Sequence, residues 1–408
     1  MNSYSFNIEP RDLLFMRDGR PMEASDAGLG ANWPRPDQVY SAFINAFHAQ
    51  WSDFQPWEGH RHNQNDKDGN KDSSYRFGSL KTAGPFPAKG KEIYLPCPLD
   101  LSADDEGNLY QMKLVEAKNS DMFKPLTHAF SSVKLGKTEL PHWISSADYQ
   151  KYLRGESFKP AKCELYTSER NIGIGIDVAS RTTEEGKIYQ AEYLRFGKDS
   201  SMAVSASCEQ NGSDGFSKIL NKCRFDMIMG GQQGVCLVTK SPSLSLPHSC
   251  CDSNIPYSFF LRWTLISPAV YPKINEHSGG WLPSWVDAQT GQVLLPKGDT
   301  ERKEKERREE WRKRISNIEK FSAKLIAARV GKPLVFSGWD LQSGAKPTYL
   351  AVPAGSSYIF ECANSEEVKA LSDALSWNRK GGNEVKNRRS TLFGEKGFGL
   401  GICSQFKI

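Results

Sequence analysis

No C-x-x-C pair occurs in this chain, no G-x-x-x-x-G-K-[ST], no G-x-S-x-G and no H-E-x-x-H. The first absence leaves nine scattered cysteines, an odd number in a long chain, which argues for reduced thiols rather than a disulfide framework. The second removes the P-loop reading of Gly136-Lys137-Thr138, because Ser131 stands where the earlier glycine is needed. Gly173-Ile174-Gly175 lacks the third glycine of a dinucleotide fingerprint and lies inside a hairpin pattern. The last two absences remove the nucleophile-elbow hydrolases and the zincin proteases. Apolar runs are short and interrupted, so no membrane partner is expected. Met1 to Asp12 has no basic start followed by an apolar core, so the expected compartment is the cytoplasm. His60 and His62, upstream of Asp66 and Asp68, lie in a stretch almost without apolar residues, so 59–74 reads as a disordered loop and not a metal site. No cofactor and no metal are expected.

What is present is an ordinary polar chain of 408 residues, long enough for two or three cores. The net charge of +5 is too mild to indicate nucleic acid by itself. Its distribution says more. Arg379 to Lys396 holds six basic and two acidic residues directly before Gly397-Phe398-Gly399-Leu400-Gly401. Glu301 to Arg314 mixes both signs around Trp311 and reads as a solvated helix laced by i,i+4 pairs.

Ser5 to Ile8 alternates like a strand with one buried face. Pro36-Asp37 suits a helix start with Asp37 as N-cap, and Val39, Ala42, Phe43, Ala46 and Phe47 form one apolar face. Arg170 to Phe196 reads as a long hairpin, and Phe225 to Val238 as a strand pair turning at Gly230-Gly231-Gln232. Lys240 to Pro256 is rich in Ser and Pro and suits a linker. Beyond it, Phe259–Ile266, Val330–Trp339, Thr348–Cys362 and Gly397–Ile408 read as strands. Asn364 caps a helix whose apolar face is Val368, Leu371 and Leu375. The expected domains are 1–240, with inserted hairpins and the 59–74 loop, and 257–408, with a charged helix inserted near 299–327. The second order is compatible with β-α-β-β-α-β, and the first unit begins the same way, strand then helix.

Arginines set in turns are the candidate phosphate contacts: Arg17, Arg20, Arg35, Arg170 and Arg181. A planar guanidinium donates two parallel hydrogen bonds to phosphate. Trp33 and Trp281 are candidate stacking platforms for unpaired bases. Gly397, Gly399 and Gly401 would let backbone approach RNA or another chain and expose N–H groups; tight-turn chemistry is the alternative. His48, on the first helix, is the one candidate general acid/base.

Taken together these residues resemble a known family. The blocks are Glu9 to Pro21; Trp33-Pro34-Arg35-Pro36; Glu169 to Ile174 with Gly186 to Tyr189; Ser267-Pro268-Ala269 with Gly280-Trp281-Leu282-Pro283; and Ser337-Gly338-Trp339-Asp340 with Lys346-Pro347 and Val352 to Ser356. They run in order along nearly the whole chain and resemble the third subunit of the Cmr complex, the type III-B CRISPR effector. That family belongs to the repeat-associated mysterious protein (RAMP) superfamily, whose C-terminal glycine-rich loop Gly397 to Gly401 matches. The resemblance implies an α+β fold of two ferredoxin-like (RRM-like) domains with insertions. It implies a non-catalytic subunit that holds the 5′ tag of a CRISPR RNA, with Lys346 joining the candidate RNA contacts. It also implies partners: the large palm-domain subunit, the backbone RAMP subunits and, indirectly, target RNA. The alternative within the superfamily is a metal-independent endoribonuclease that processes CRISPR RNA.

Overall fold

The computed structural model describes residues 3–16, 33–50, 80–117, 122–134, 136–177, 180–210, 213–214, 216, 224–242, 244–251, 259–272, 280–298, 300, 303, 306–337, 339–340, 344–378 and 384–406. Arg17, Arg20 and the 59–74 loop lie outside them, as does the side chain of His48.

The first half is built on β1 (Ser3–Pro10), α1 (Pro36–Gln50), β2 (Lys81–Lys89), β3 (Glu92–Pro96), β4 (Trp143–Ser145), α2 (Ser146–Leu153), the hairpin β5 (Tyr166–Ile176) and β6 (Thr183–Phe196), β7 (Ser200–Ser207), β8 (Arg224–Met229) and β9 (Gly234–Ser241). Seven of these strands form one sheet in the order β8-β9-β1-β7-β2-β3-β4. Alternation decides the facing of β1: Phe6 and Ile8 are buried while their neighbours are not. Those two residues meet Val39 and Phe43 of α1 in a shared core with Val204 and Val238. The expected helix face is therefore found at Val39, Ala42, Phe43 and Ala46. Its start differs from expectation. Pro36 takes the first helical position, where a missing N–H costs nothing. The Arg35 carbonyl accepts from the Gln38 and Val39 amides, and the Gln38 side chain accepts from the Arg35 amide at 2.8 Å. Asp37 is thus an acidic residue of the first turn rather than the cap.

The second half comprises β10 (Phe260–Leu265), α3 (Arg308–Ser316), β11 (Ala323–Arg329), the short ribbon β12 (Leu334–Phe336) and β13 (Tyr349–Ala351), β14 (Ser357–Cys362), α4 (Ser365–Leu375) and β15 (Gly401–Phe406). Its sheet runs β11-β14-β10-β15, all neighbours antiparallel. Leu261, Trp263 and Leu265 of β10 pack on Val368, Leu371 and Leu375 of α4. Asn364 caps α4 as the sequence predicts, accepting from the Glu367 amide at 2.9 Å.

Three expectations are corrected here. The second strand of this sheet is Ala323–Arg329 and not Val330–Trp339. Its sequence AKLIAAR has helix-forming composition, and pairing with β14 overrides that preference. The insertion near 299–327 accordingly runs into a core strand, with Leu325 and Ala327 buried. Tyr349 to Cys362 is likewise two strands, broken at Pro353-Ala354-Gly355. The described part of the 240–256 segment is packed rather than free: Leu244 and Leu246 are buried, the Trp377 indole donates to the Pro247 carbonyl, and Cys250 bridges alongside Ser404 of β15.

The two halves share a core. Ala83, Phe86, Leu95, Tyr149 and Leu153 of the first half meet Trp377, Leu400 and Ile402 of the second. Within this seam lies a buried ion pair, Arg262 to Asp100 at 3.3 Å, with side chains 1% and 0% exposed. Other groups bond to both partners. Ser404 accepts from the guanidinium at 3.0 and 2.7 Å, and the Tyr152 carbonyl accepts at 3.1 Å. The other Asp100 oxygen accepts from Tyr152 at 2.7 Å and Ser357 at 2.9 Å. The guanidinium carbon also stands 3.9 Å from the Tyr152 ring centroid.

Candidate nucleic-acid interface

Of the residues selected from sequence, Arg35 and Lys346 are brought together across the two halves. Arg35 grips Asp37 at 3.0 Å and reaches the Ser337 carbonyl at 3.5 Å. The Ser337 hydroxyl donates to the Lys346 carbonyl at 2.7 Å, closing a polar turn that carries the exposed Lys346 side chain. A third cation joins them that sequence reasoning did not single out. Lys396, the last residue of a short 3-10 turn, lies 5.5 Å from the Tyr40 ring centroid on α1 and 4.8 Å from that of Phe393. Burial lowers its pKa; Glu395 and Asp37 oppose that, and Lys346 adds to it. An ammonium held half-buried near another cation is stabilised by an incoming anion. Phe393, in the left-handed region at φ +62°, packs on Tyr349 and Phe398 and fixes this turn. Position in the 379–396 basic tract was the one sequence signal for Lys396.

Trp33 faces inward. Its indole donates to the Pro85 carbonyl at 2.9 Å, and its ring lies 5.3–5.5 Å from Tyr166, Phe196 and Trp143. It fastens the start of α1 to the base of the β5–β6 hairpin. Trp281 is half-buried on the core of the second half, and its carbonyl accepts from Tyr358. The Trp33 ring is therefore not a free platform in this arrangement. Arg170 is exposed on β5 and loosely paired with Glu192 at 3.9 Å. Arg181 stands exposed at the hairpin turn in the left-handed region, φ +52°. These two lie on the hairpin, apart from the Arg35–Lys346–Lys396 cluster.

The glycine loop is a correction. Gly397, Gly399 and Gly401 are all buried. A Cβ at Gly399, where φ is +76°, would fall 2.0 Å from the Ser390 amide nitrogen. One at Gly401 would fall 2.1 Å from the Trp263 indole nitrogen, and one at Gly397 2.9 Å from the Thr82 carbonyl. The Gly399 amide donates to Pro268 at 2.7 Å and that of Leu400 to Ser267. The close approach that these glycines allow is thus to this chain itself, and the amides of Gly397, Gly399 and Leu400 are engaged. Part of the basic tract is structural as well: Arg389 donates to the Ala374 carbonyl at 2.7 Å, satisfying the C-terminus of α4.

Among the described residues no group of three His, Cys, Asp or Glu side chains is placed to hold a metal ion. No described helix is long and apolar enough to cross a membrane.

The model of the CRISPR-associated protein family Cas_Cmr3 matches residues 6–403. Among solved structures, a chain of a type III-B Cmr-beta complex bound to cognate target RNA aligns at 13% identity and a TM-score of 0.44, covering 87% of this chain and 86% of that one. A chain of a Csm3–Csm4 subcomplex of the type III-A interference complex aligns at 9% identity and a TM-score of 0.38, covering 87% and 92%. A Csm1–Csm4 cassette with pppApA gives 15% identity and 0.29, covering 67% and 79%. No curated protein matches the chain.

Proposed function

The chain belongs to the Cmr3 family of CRISPR-associated proteins, and from that premise we propose that it is a non-catalytic RNA-binding subunit of a type III-B effector. In this reading it works in the cytoplasm, holds the 5′ tag of the CRISPR RNA, and bridges the large palm-domain subunit to the backbone RAMP subunits. Target RNA meets it indirectly. Each half is then a ferredoxin-like unit, a reading supported by the strand orders β9-β1-β7-β2 and β15-β10-β14-β11, which place the four strands of each half in the same sequence order, 4-1-3-2.

The observation that carries the RNA reading is the meeting of Arg35, Lys346 and Lys396 where the halves join, together with the family match. Arg35 is already engaged by Asp37, so Lys346 and Lys396 supply the charge and Arg35 the orientation. Phosphate contacts position a strand and release counterions, so affinity must depend on salt. The test is tag-bearing RNA binding by the assembled complex across a salt series. Lys346→Ala and Lys396→Ala should each flatten the slope by about 0.7, and Arg35→Ala by less. Unchanged slopes in an intact complex would remove this cluster from the interface. Specific cleavage of repeat RNA, abolished by His48→Ala, would replace the non-catalytic reading with the endoribonuclease.

A further inference from the structure

The backbone of Lys396 is tied to both halves of the chain. Its amide donates to the Phe393 carbonyl at 3.0 Å, and its carbonyl accepts from the Thr82 hydroxyl on β2, also at 3.0 Å. Only the side chain is left to choose an orientation. A lysine stem ordinarily carries its ammonium out to water. Here the ammonium is drawn back far enough that burial lowers its pKa. Among the described residues no carboxylate bonds to it: Asp37 and Glu395 act on it through space, and Asp37 is gripped by Arg35.

What the ammonium does meet is two aromatic faces, one from each half. Tyr40 of α1, itself buried in the first core, lies under it at 5.5 Å, and Phe393 at 4.8 Å. Both centroids are inside the roughly 6 Å over which a ring face attracts a cation. The Phe393 ring stands there against a backbone preference. Its φ of +62° is one that glycine takes freely and bulky residues rarely take. A residue in such a conformation persists where its surroundings hold it, and this ring packs on Tyr349, Phe398 and the ammonium.

We propose that Tyr40 and Phe393 are positioning residues. Their ring faces form a clamp, completed only when the two halves are docked, that holds the Lys396 ammonium at the join. A charge placed in advance loses less side-chain freedom on binding than one that swings. That the held ammonium meets the 5′ tag rests on the proposed tag-binding function; the clamp is a property of this chain alone.

The experiment changes the electrostatics of a ring while keeping its shape. Phe393 is replaced in the full chain by mono-, di- and trifluorophenylalanine, which drain the negative ring face in steps. The rate at which acetic anhydride acetylates Lys396 is read by mass spectrometry, with exposed Lys320 of the same chain as reference. The rate should rise with each fluorine, by about twofold to fivefold at the third. Packing alone would leave it flat, because the fit of the ring is kept. Tyr40→Leu should raise the rate by a similar factor, and Tyr40→Phe should restore protection. A flat fluorine series overturns the clamp. Binding of tag-bearing RNA by the assembled complex is then measured on the same series. Affinity that falls as acetylation quickens supports the clamp and the tag-binding reading together. Quickened acetylation with unchanged affinity keeps the clamp and removes Lys396 from the tag site.

Discussion

The two halves of the chain repeat one strand order and differ in which helix they keep. In the first half the segment after the first strand is α1, which buries Phe43 and Val39 against the sheet. The corresponding segment of the second half carries α3, a charged helix whose described residues are exposed or half-buried. After the third strand the situation reverses: the second half has α4, with Leu371 and Leu375 fully buried, while among the described residues of the first half no helix lies between β7 and β9. The opposite face of the first sheet is covered by α2, whose Tyr149, Tyr152 and Leu153 pack in the core shared with Leu400 and Ile402 of the second half. Where a helix is not needed for burial, its place can be given to surface chemistry.

The seam should be the costliest place to attack. Asp100→Ala leaves Arg262 as an uncompensated buried charge and should destabilise by about 3–5 kcal/mol. Denaturant unfolding measures it, and a loss under about 1 kcal/mol would mean that water enters the seam and the halves are more independent than their shared core suggests. The helices come next. Leu371→Ala in α4 should cost about 2–5 kcal/mol, whereas Arg314→Ala in α3 should change stability by no more than about 1 kcal/mol. Equal losses would abolish the distinction between a packed and a surface helix.

The smallest effect sharpens the same contrast. The Arg314 side chain and then the Lys303 amide hold the Glu306 carboxyl down to about 2, against its ordinary 4.5. A depressed folded value means that the stabilisation is present above 4.5 and is lost as pH falls towards 2. Trp311, on α3, should therefore report a local fluorescence change in that window, absent in Glu306→Gln. A signal identical in the two proteins would show that α3 does not depend on this pair.

Elements with local signals were legible in the sequence: the alternation of β1, the β5–β6 hairpin, the turn between β8 and β9, and the Asn364 cap. β11 was not, because an Ala- and Lys-rich heptapeptide carries a helical preference that only pairing with β14 reverses. The candidate site was legible in type and not in membership. Arg35 and Lys346 lie far apart in sequence, and no spacing rule brings them together. Gly397 to Gly401 was legible as a place of close approach, but the approaching atoms belong to Thr82, Ser390 and Trp263. Arg262 was hidden inside the apolar run FLRWTL, where its alternation with Leu261 and Trp263 is the one sign that this strand has a second buried face.

That second face has a mechanical consequence. The two sheets share a core through Leu400, Ile402, Phe86 and α2, with a buried ion pair inside it, so packing joins them as well as the chain. A severed connection between residues 252 and 258 would leave two polypeptides still clasped as one object, unfolding together.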